Sequence, residues 1–514
     1  MNHPTNNESS VQHATQSFAM GVVVMMFFNV AQRLLGLGRN FGFCQFLSDA
    51  ELGHWALANS FFLIAAPFAV LGLPGSFGKF VEHFRARGCL GDYVWRILAG
   101  SAIGMLLLVM AMLSFPETFA WTIYGESFAE GWQAGLGLIA WTAWTFLTVT
   151  AFNIVYELAV AMRLIRTASL MQFLQSAGFA LLGITVLAWQ RSWVLLLPAY
   201  AVACLIAIVP GVYSIYYQSQ GVLKPTKTLS HRMMWARILP FAAALWLTNL
   251  LTNSFELVDR YMLLHFCKGG EEVGQALVGQ FYCGRILPNL LLSLALMMSG
   301  MLLPYLSADW ESQRRDRIAD RMRQVLASVS LAFSAISIGA LLFAPVLFQY
   351  VLRGRYSEAH EILAIALSQC TWSSLSLLAS TYLLCAEKGK QASLVLAFGV
   401  VINVGLNVPL IQSMGLYGSL LATWLANGIV LSLTLWRINA EGCKVGWKTL
   451  LLCLAPALII FGEIPAALGL CGIFVLAGRT NWILSSQDRR EIDEFILPRL
   501  NKFGIQLPSL WPTV

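Results

Sequence analysis

Ile97-Leu-Ala-Gly-Ser-Ala-Ile-Gly-Met-Leu-Leu-Leu-Val-Met-Ala-Met-Leu-Ser-Phe115 lies between Arg96 and Glu117 without a single charged residue. At about 1.5 Å per residue such a run forms a helix on the order of 30 Å long, the thickness of the hydrocarbon core of a bilayer. The rest of the chain has the same character. Its 514 residues are 58% hydrophobic and only 11% charged, and mean hydropathy is +0.68. Water-soluble domains carry about 25% charged residues, because a surface facing water must be covered with polar groups. Here that material is missing, so lipid is the expected solvent. In lipid the backbone must satisfy its own hydrogen bonds. The expected fold is an all-α, polytopic membrane protein.

Working outward from 97–115, further apolar runs centre near Met26, Ala65, Thr142, Phe179, Ala203, Leu247, Leu291, Ser334, Trp372, Val400, Leu425, Leu454 and Gly472, giving about fourteen transmembrane helices. The last two are short and separated only by Gly462, Glu463, Ile464 and Pro465, so a tight hairpin and a re-entrant pair both fit. Residues 1–16 contain no Lys or Arg, whereas a cleavable signal peptide begins with a basic region, so 17–37 reads as an uncleaved first helix. Lys and Arg accumulate in short cytoplasmic loops. With the N-terminus placed inside, most of the 33 basic residues fall in cytoplasmic segments: Lys79–Arg96, Arg163 and Arg166, Lys224–Arg237, Arg314–Arg323, Lys388 and Lys390, Arg437–Lys448, and Arg479–Lys502. The opposing loops carry Glu117, Glu126, Glu130, Glu271 and Glu272. Both termini are therefore expected in the cytoplasm. The same bias accounts for the net charge of +7 without a nucleic-acid partner.

The chain also matches itself. Leu52-Gly53-His54-Trp55 recurs in pattern as Val278-Gly279-Gln280-Phe281, each opening the second helix of a half, and the helices that follow are expected to end at Leu73-Pro74 and Leu303-Pro304. Gly125-Glu126-Ser127-Phe128-Ala129-Glu130 recurs as Gly354-Arg355-Tyr356-Ser357-Glu358. Parallel repeats of this kind build transporters with the substrate path between the halves. The expected organisation is a cytoplasmic tail (1–16), a first six-helix lobe (17–218), a cytoplasmic linker (219–234), a second six-helix lobe (235–438), an appended helix pair (446–480) and a cytoplasmic tail (481–514).

Four stretches resemble the MOP superfamily of exporters, in particular its polysaccharide-transport (Wzx-like flippase) branch. The clearest is Asn407-Val-Pro409-Leu410-Ile411-Gln-Ser-Met-Gly415-Leu-Tyr417-Gly418-Ser419-Leu-Leu-Ala422-Thr423, with Ser419 in place of the usual Ala. The others are Gly354-Arg-Tyr356-Ser-Glu-Ala359, Val258-Asp259-Arg260, and Val278-Gly279-Gln-Phe281-Tyr282. The resemblance implies a MATE-like fold, two lobes around a central cavity that opens alternately to each side. Read for itself, Asn407-x-Pro409 is expected to end a helix, and Gly415 and Gly418 to allow a tight turn and close packing.

Ionisable side chains inside a membrane are costly, which makes them candidates for function. Arg33 lies in helix one with Asn29 four residues earlier, and Arg285 lies at similar depth in helix eight with Tyr282 and Asn289 on its face. Asn249, Asn253, Glu256 and Arg260 form a polar stripe along helix seven. If helices one, two, seven and eight line the cavity, as the resemblance implies, these side chains converge there. A lipid-linked oligosaccharide carries a pyrophosphate, and Arg grips phosphate with a planar fork of donors. The candidate substrate contacts are therefore Arg33, Arg39, Arg285, Asn29, Asn249, Asn253 and Tyr282, and the candidate ion-coupling residues are Glu256 and Asp259. The competing structural reading pairs Arg285 with Glu256 and lets Arg39 snorkel to the interface.

The ten cysteines are scattered and form no metal-binding spacing, no nucleotide-binding loop occurs, and the loops are too small for a catalytic domain. No enzyme activity, cofactor or metal is expected. The expected role is translocation of a polyprenyl-pyrophosphate-linked oligosaccharide across a bacterial inner membrane, with membrane lipids and polysaccharide assembly machinery as partners. The alternative is a multidrug or cation antiporter of the same fold.

Overall fold

The computed structural model describes residues 31–125, 132–219 and 230–479. Among these the chain is helical, with ten helices long and apolar enough to cross a membrane. It divides into two compact units, residues 1–279 and 280–514. The division falls inside a helix, whereas most of the linker 219–234 lies outside the described residues.

The first unit begins with α1 (31–46) and α2 (Asp49–Ala69). Ser48 starts α2 through a capping box: its hydroxyl accepts from the Glu51 N–H, and the Glu51 carboxylate accepts from the Ser48 N–H. The chain then turns at Leu71 and Gly72, both at positive φ, just before the expected end at Leu73-Pro74. A short amphipathic helix α3 (Phe77–Ala86) leads to α4 (Leu90–Ser114), the span from which the sequence reading began. Its Ile103, Leu106, Leu107 and Met110 are exposed, as lipid-facing side chains are. α5 (Pro116–Tyr124) packs against α6 (Trp132–Ala161), and α6 and α7 (Ile165–Trp189) pack on α8 (Leu196–Ser219). α9 (His231–Phe266) closes the unit by lying against α2. At the helix ends marked by basic residues, Arg163 pairs with Glu82 at 3.3 Å, so Arg163 ties α3 to the α6–α7 turn.

The second unit starts within α10 (Glu271–Gly284) and continues through α11 (Pro288–Glu311) and α12 (Arg315–Val346). The arginine-rich segment expected to form a cytoplasmic helix is the first turns of α12, where Arg323 pairs with Asp320, and Arg321 reaches Asp309 at 2.5 Å. Here the sequence reading of the helix end was wrong. Pro304 lies inside α11, which runs on to Glu311, because one missing N–H costs a single intrahelical bond and does not by itself stop the helix.

After α13 (Ser357–Glu361), α14 (Leu363–Cys385) forms the centre of the unit, packed by α11, α12 and α15 (Gly389–Ala440). α15 is two antiparallel spans joined at Gly415, whose φ of 58° and ψ of −129° suit glycine. The Asn407-x-Pro409 expectation also needs correcting. Pro409 sits within the helix, the turn comes at Gly415, and Gly418 then packs so closely on the Leu410 carbonyl that a Cβ would lie 2.0 Å from its oxygen. α16 (Trp447–Leu454), the 3₁₀ turn Ala455–Phe461 and α17 (Glu463–Arg479) complete the unit. Trp372 donates to the Cys453 carbonyl, Ser368 to that of Pro456 and Ser330 to that of Leu452, which fixes the appended segment onto α14 and α12. All ten cysteines are free thiols and eight are buried, as the scattered spacing predicts.

Candidate functional site

The break between α10 and α11 is written in Gly284-Arg285-Ile286-Leu287-Pro288. Pro288 has no N–H to give the Gly284 carbonyl, so one rung of the ladder is missing at this point. Residues 285–287 tighten into a turn: the Arg285 N–H is shared between the carbonyls of Phe281 and Tyr282, and the Ile286 N–H reaches Cys283. Irregular backbone at membrane depth is tolerated where protein or a water-filled cavity surrounds it. Gln280 anchors the preceding turn by accepting the Ala359 N–H at 3.0 Å.

Arg285 therefore leaves the helix at a fixed bend. Its side chain is buried, and the guanidinium donates to Gln369 Oε1 at 2.6 Å and to Asn289 Oδ1 at 3.5 Å. It also sits 5.4 Å from the centre of the Phe281 ring. Gln369, from the middle of α14, is itself buried. Two amide oxygens thus orient the planar guanidinium. Tyr282 is half-buried beside this group.

In the first unit the charges are arranged differently. Arg260 is buried and donates to Ser60 Oγ at 2.6 Å and to the Ala56 carbonyl at 3.5 Å, which ties α9 to α2. Asp259 beside it is fully buried. Asn249 and Asn253 lie one turn apart on an exposed face of α9, with the Asn253 amide donating to the Asn249 carbonyl at 2.9 Å. Thr248 and Thr252 extend that exposed polar face, which fits a water-filled space better than lipid.

On α1, the Arg33 Nε is buried with no hydrogen-bond partner among the described residues. Arg39 donates to Asn40 Oδ1 at 3.1–3.2 Å and lies over the Phe179 ring at 4.8 Å. Asn29 lies outside the described residues, as does the side chain of Glu256. The contacts bring together Arg285, Asn289 and Gln369 in one group, and Arg260 and Ser60 in another.

Gln369 and Ser60 escaped the sequence reading because it followed ionisable groups. The available signal was a polar side chain midway along an apolar span.

Ten long apolar helices among the described residues, with an arginine buried at a helix break, define a multi-pass membrane protein. Nineteen solved chains match this fold. An inward-facing MATE-family multidrug transporter of the MOP superfamily superposes with a TM-score of 0.65 at 15% identity, over 82% of this chain and 98% of that one. The lipid II flippase MurJ, in an inward closed conformation, superposes at 0.64 with 13% identity, over 89% and 99%. A MATE transporter from Vibrio cholerae gives 0.56 at 12% identity, over 84% and 100%. No curated protein sequence matches the chain. Residues 18–310 match the family described as polysaccharide biosynthesis protein, and the chain belongs to that family.

Proposed function

We propose that the protein flips a polyprenyl-pyrophosphate-linked oligosaccharide across a bacterial inner membrane by alternating access, with both termini in the cytoplasm. The observation that carries this reading is Arg285, a buried guanidinium at a helix break, oriented by the uncharged Gln369 and Asn289. A fork of N–H donors in a low-dielectric site suits a pyrophosphate more than it suits a cationic drug. Membership of the polysaccharide biosynthesis family points the same way.

Arg33 and Arg39 supply further cations for the pyrophosphate, and Tyr282, Asn29, Asn249 and Asn253 supply contacts to sugars. The buried carboxyl of Asp259, with Glu256, is the proposed ion-coupling group. That acid also favours one second reading, a multidrug or cation antiporter, since a fully buried carboxylate suits a cation.

The test is complementation of a bacterium lacking its own oligosaccharide flippase. Wild type is expected to restore surface polysaccharide, and Arg33→Ala and Arg285→Ala, at matched expression, are expected to lose it. Drug resistance without restored polysaccharide would replace this reading with the antiporter.

A further inference from the structure

Where the two spans of α15 end on the side marked by basic residues, they leave an open groove of about 180 Å³ between them. One wall is built from residues 391, 394, 395 and 398 and the other from 433, 436 and 437, each set lying on one helical face. Leu394, Val395, Phe398, Leu433 and Trp436 make it apolar. It extends from the helix ends inward for about 13 Å, a depth that covers the headgroup zone and the first acyl methylenes.

Arg437 lines the polar end of the groove and lies 4.9 Å from the Trp436 ring. The acid one turn away, Glu441, is already engaged by Lys388 at 3.8 Å and by the Gln391 amide at 3.2 Å. No ion pair is made by Arg437 among the described residues. A half-buried guanidinium at the membrane–water boundary, above an open apolar channel and without a carboxylate, is complementary to an anion with a hydrocarbon tail. Gln391, whose amide holds Glu441, also lines this end of the groove.

We infer that this groove binds an anionic phospholipid of the leaflet on the basic side, its phosphodiester on Arg437 and one acyl chain along Leu394, Phe398 and Leu433. The site is separate from Arg285 and does not depend on which substrate is carried.

The test is native mass spectrometry of the purified full-length chain with equal amounts of phosphatidylglycerol and phosphatidylcholine. Wild type should retain phosphatidylglycerol preferentially. Arg437→Ala should reduce that preference about tenfold, the factor supplied by one charge-assisted contact, with Arg437→Lys keeping part of it. Leu394→Trp, at an exposed position that narrows the groove, should reduce retention of both lipids. Equal retention of the two lipids by wild type, or an unchanged preference in Arg437→Ala, would overturn the proposal. Displacement of phosphatidylglycerol by an equal amount of undecaprenyl phosphate would overturn it in favour of a route for a polyprenyl tail.

Discussion

Gly53 and Gly279, the equivalent glycines of the two sequence repeats, close on each other in the first compact unit. A Cβ on Gly53 would lie 1.9 Å from the Gln275 carbonyl oxygen, and one on Gly279 would lie 1.9 Å from that of Asp49. The contact is reciprocal between α2 and α10. Each helix contributes a backbone carbonyl to the place where the other has no side chain.

Gly53→Ala and Gly279→Ala should each destabilise this arrangement by about 1–3 kcal/mol, because the obstacle is backbone and cannot rotate away. Thermal unfolding in detergent is the measurement. The double variant should lose less than the two single losses combined, since the first methyl already separates the helices. Unchanged melting for both single variants would show that this contact is dispensable.

Arg285→Lys should resemble Arg285→Ala in complementation, on the order of tenfold below wild type, because an ammonium cannot reproduce the planar fork. Gln369→Leu should remove one orienting bond and weaken transport with less effect than either. Surface polysaccharide is compared at equal protein level in the membrane. Full activity of Arg285→Lys would reduce the role of this residue to point charge.

Ser60→Ala should cost about 1.5–3 kcal/mol, the range for a hydrogen bond to a charged group, because it deprives the buried Arg260 of its 2.6 Å acceptor. The loss should appear as a lower melting temperature, with expression maintained. A melting curve that overlays wild type would mean that Arg260 finds another acceptor.

On the basic side, Arg237 lies 3.1 Å from the His83 Nε2, linking α9 to α3. Loss of hydration, with Arg87 and Arg237 nearby, lowers the His83 pKa from its ordinary value of 6.5. The unfolded chain therefore takes up this proton first on acidification. The contribution of the neutral contact is complete above about pH 6.5 and declines as pH falls toward the lowered folded-state value. His83→Gln should flatten that part of the melting-temperature profile. An identical pH dependence in the variant would assign the effect to other groups.

The membrane class, the positions of the long spans and the family were legible because each rests on composition over many residues or on a repeated motif. Helix ends near proline were not. Pro304 and Pro409 lie inside continuous helices, while Pro288 stands at a real break. The three prolines look alike in sequence. Residues 285–287, just before Pro288, tighten into a turn at the point where Gln280 and Gln369 fix the surrounding chain. The cationic candidates were legible from their cost in lipid. Their partners Gln369 and Ser60 come from distant helices, and no local pattern announces which span will meet which.

α14 is the least apolar of the ten long helices and the most buried. Several of its polar groups are satisfied only by later sequence, including Trp372 at Cys453 and Ser368 at Pro456. During synthesis this segment leaves the ribosome before the carbonyls it needs have been made. A chain truncated before residue 447 would leave Trp372 without its acceptor. The order in which these partners are made thus leaves the centre of the second unit incomplete until the C-terminal segment has joined it.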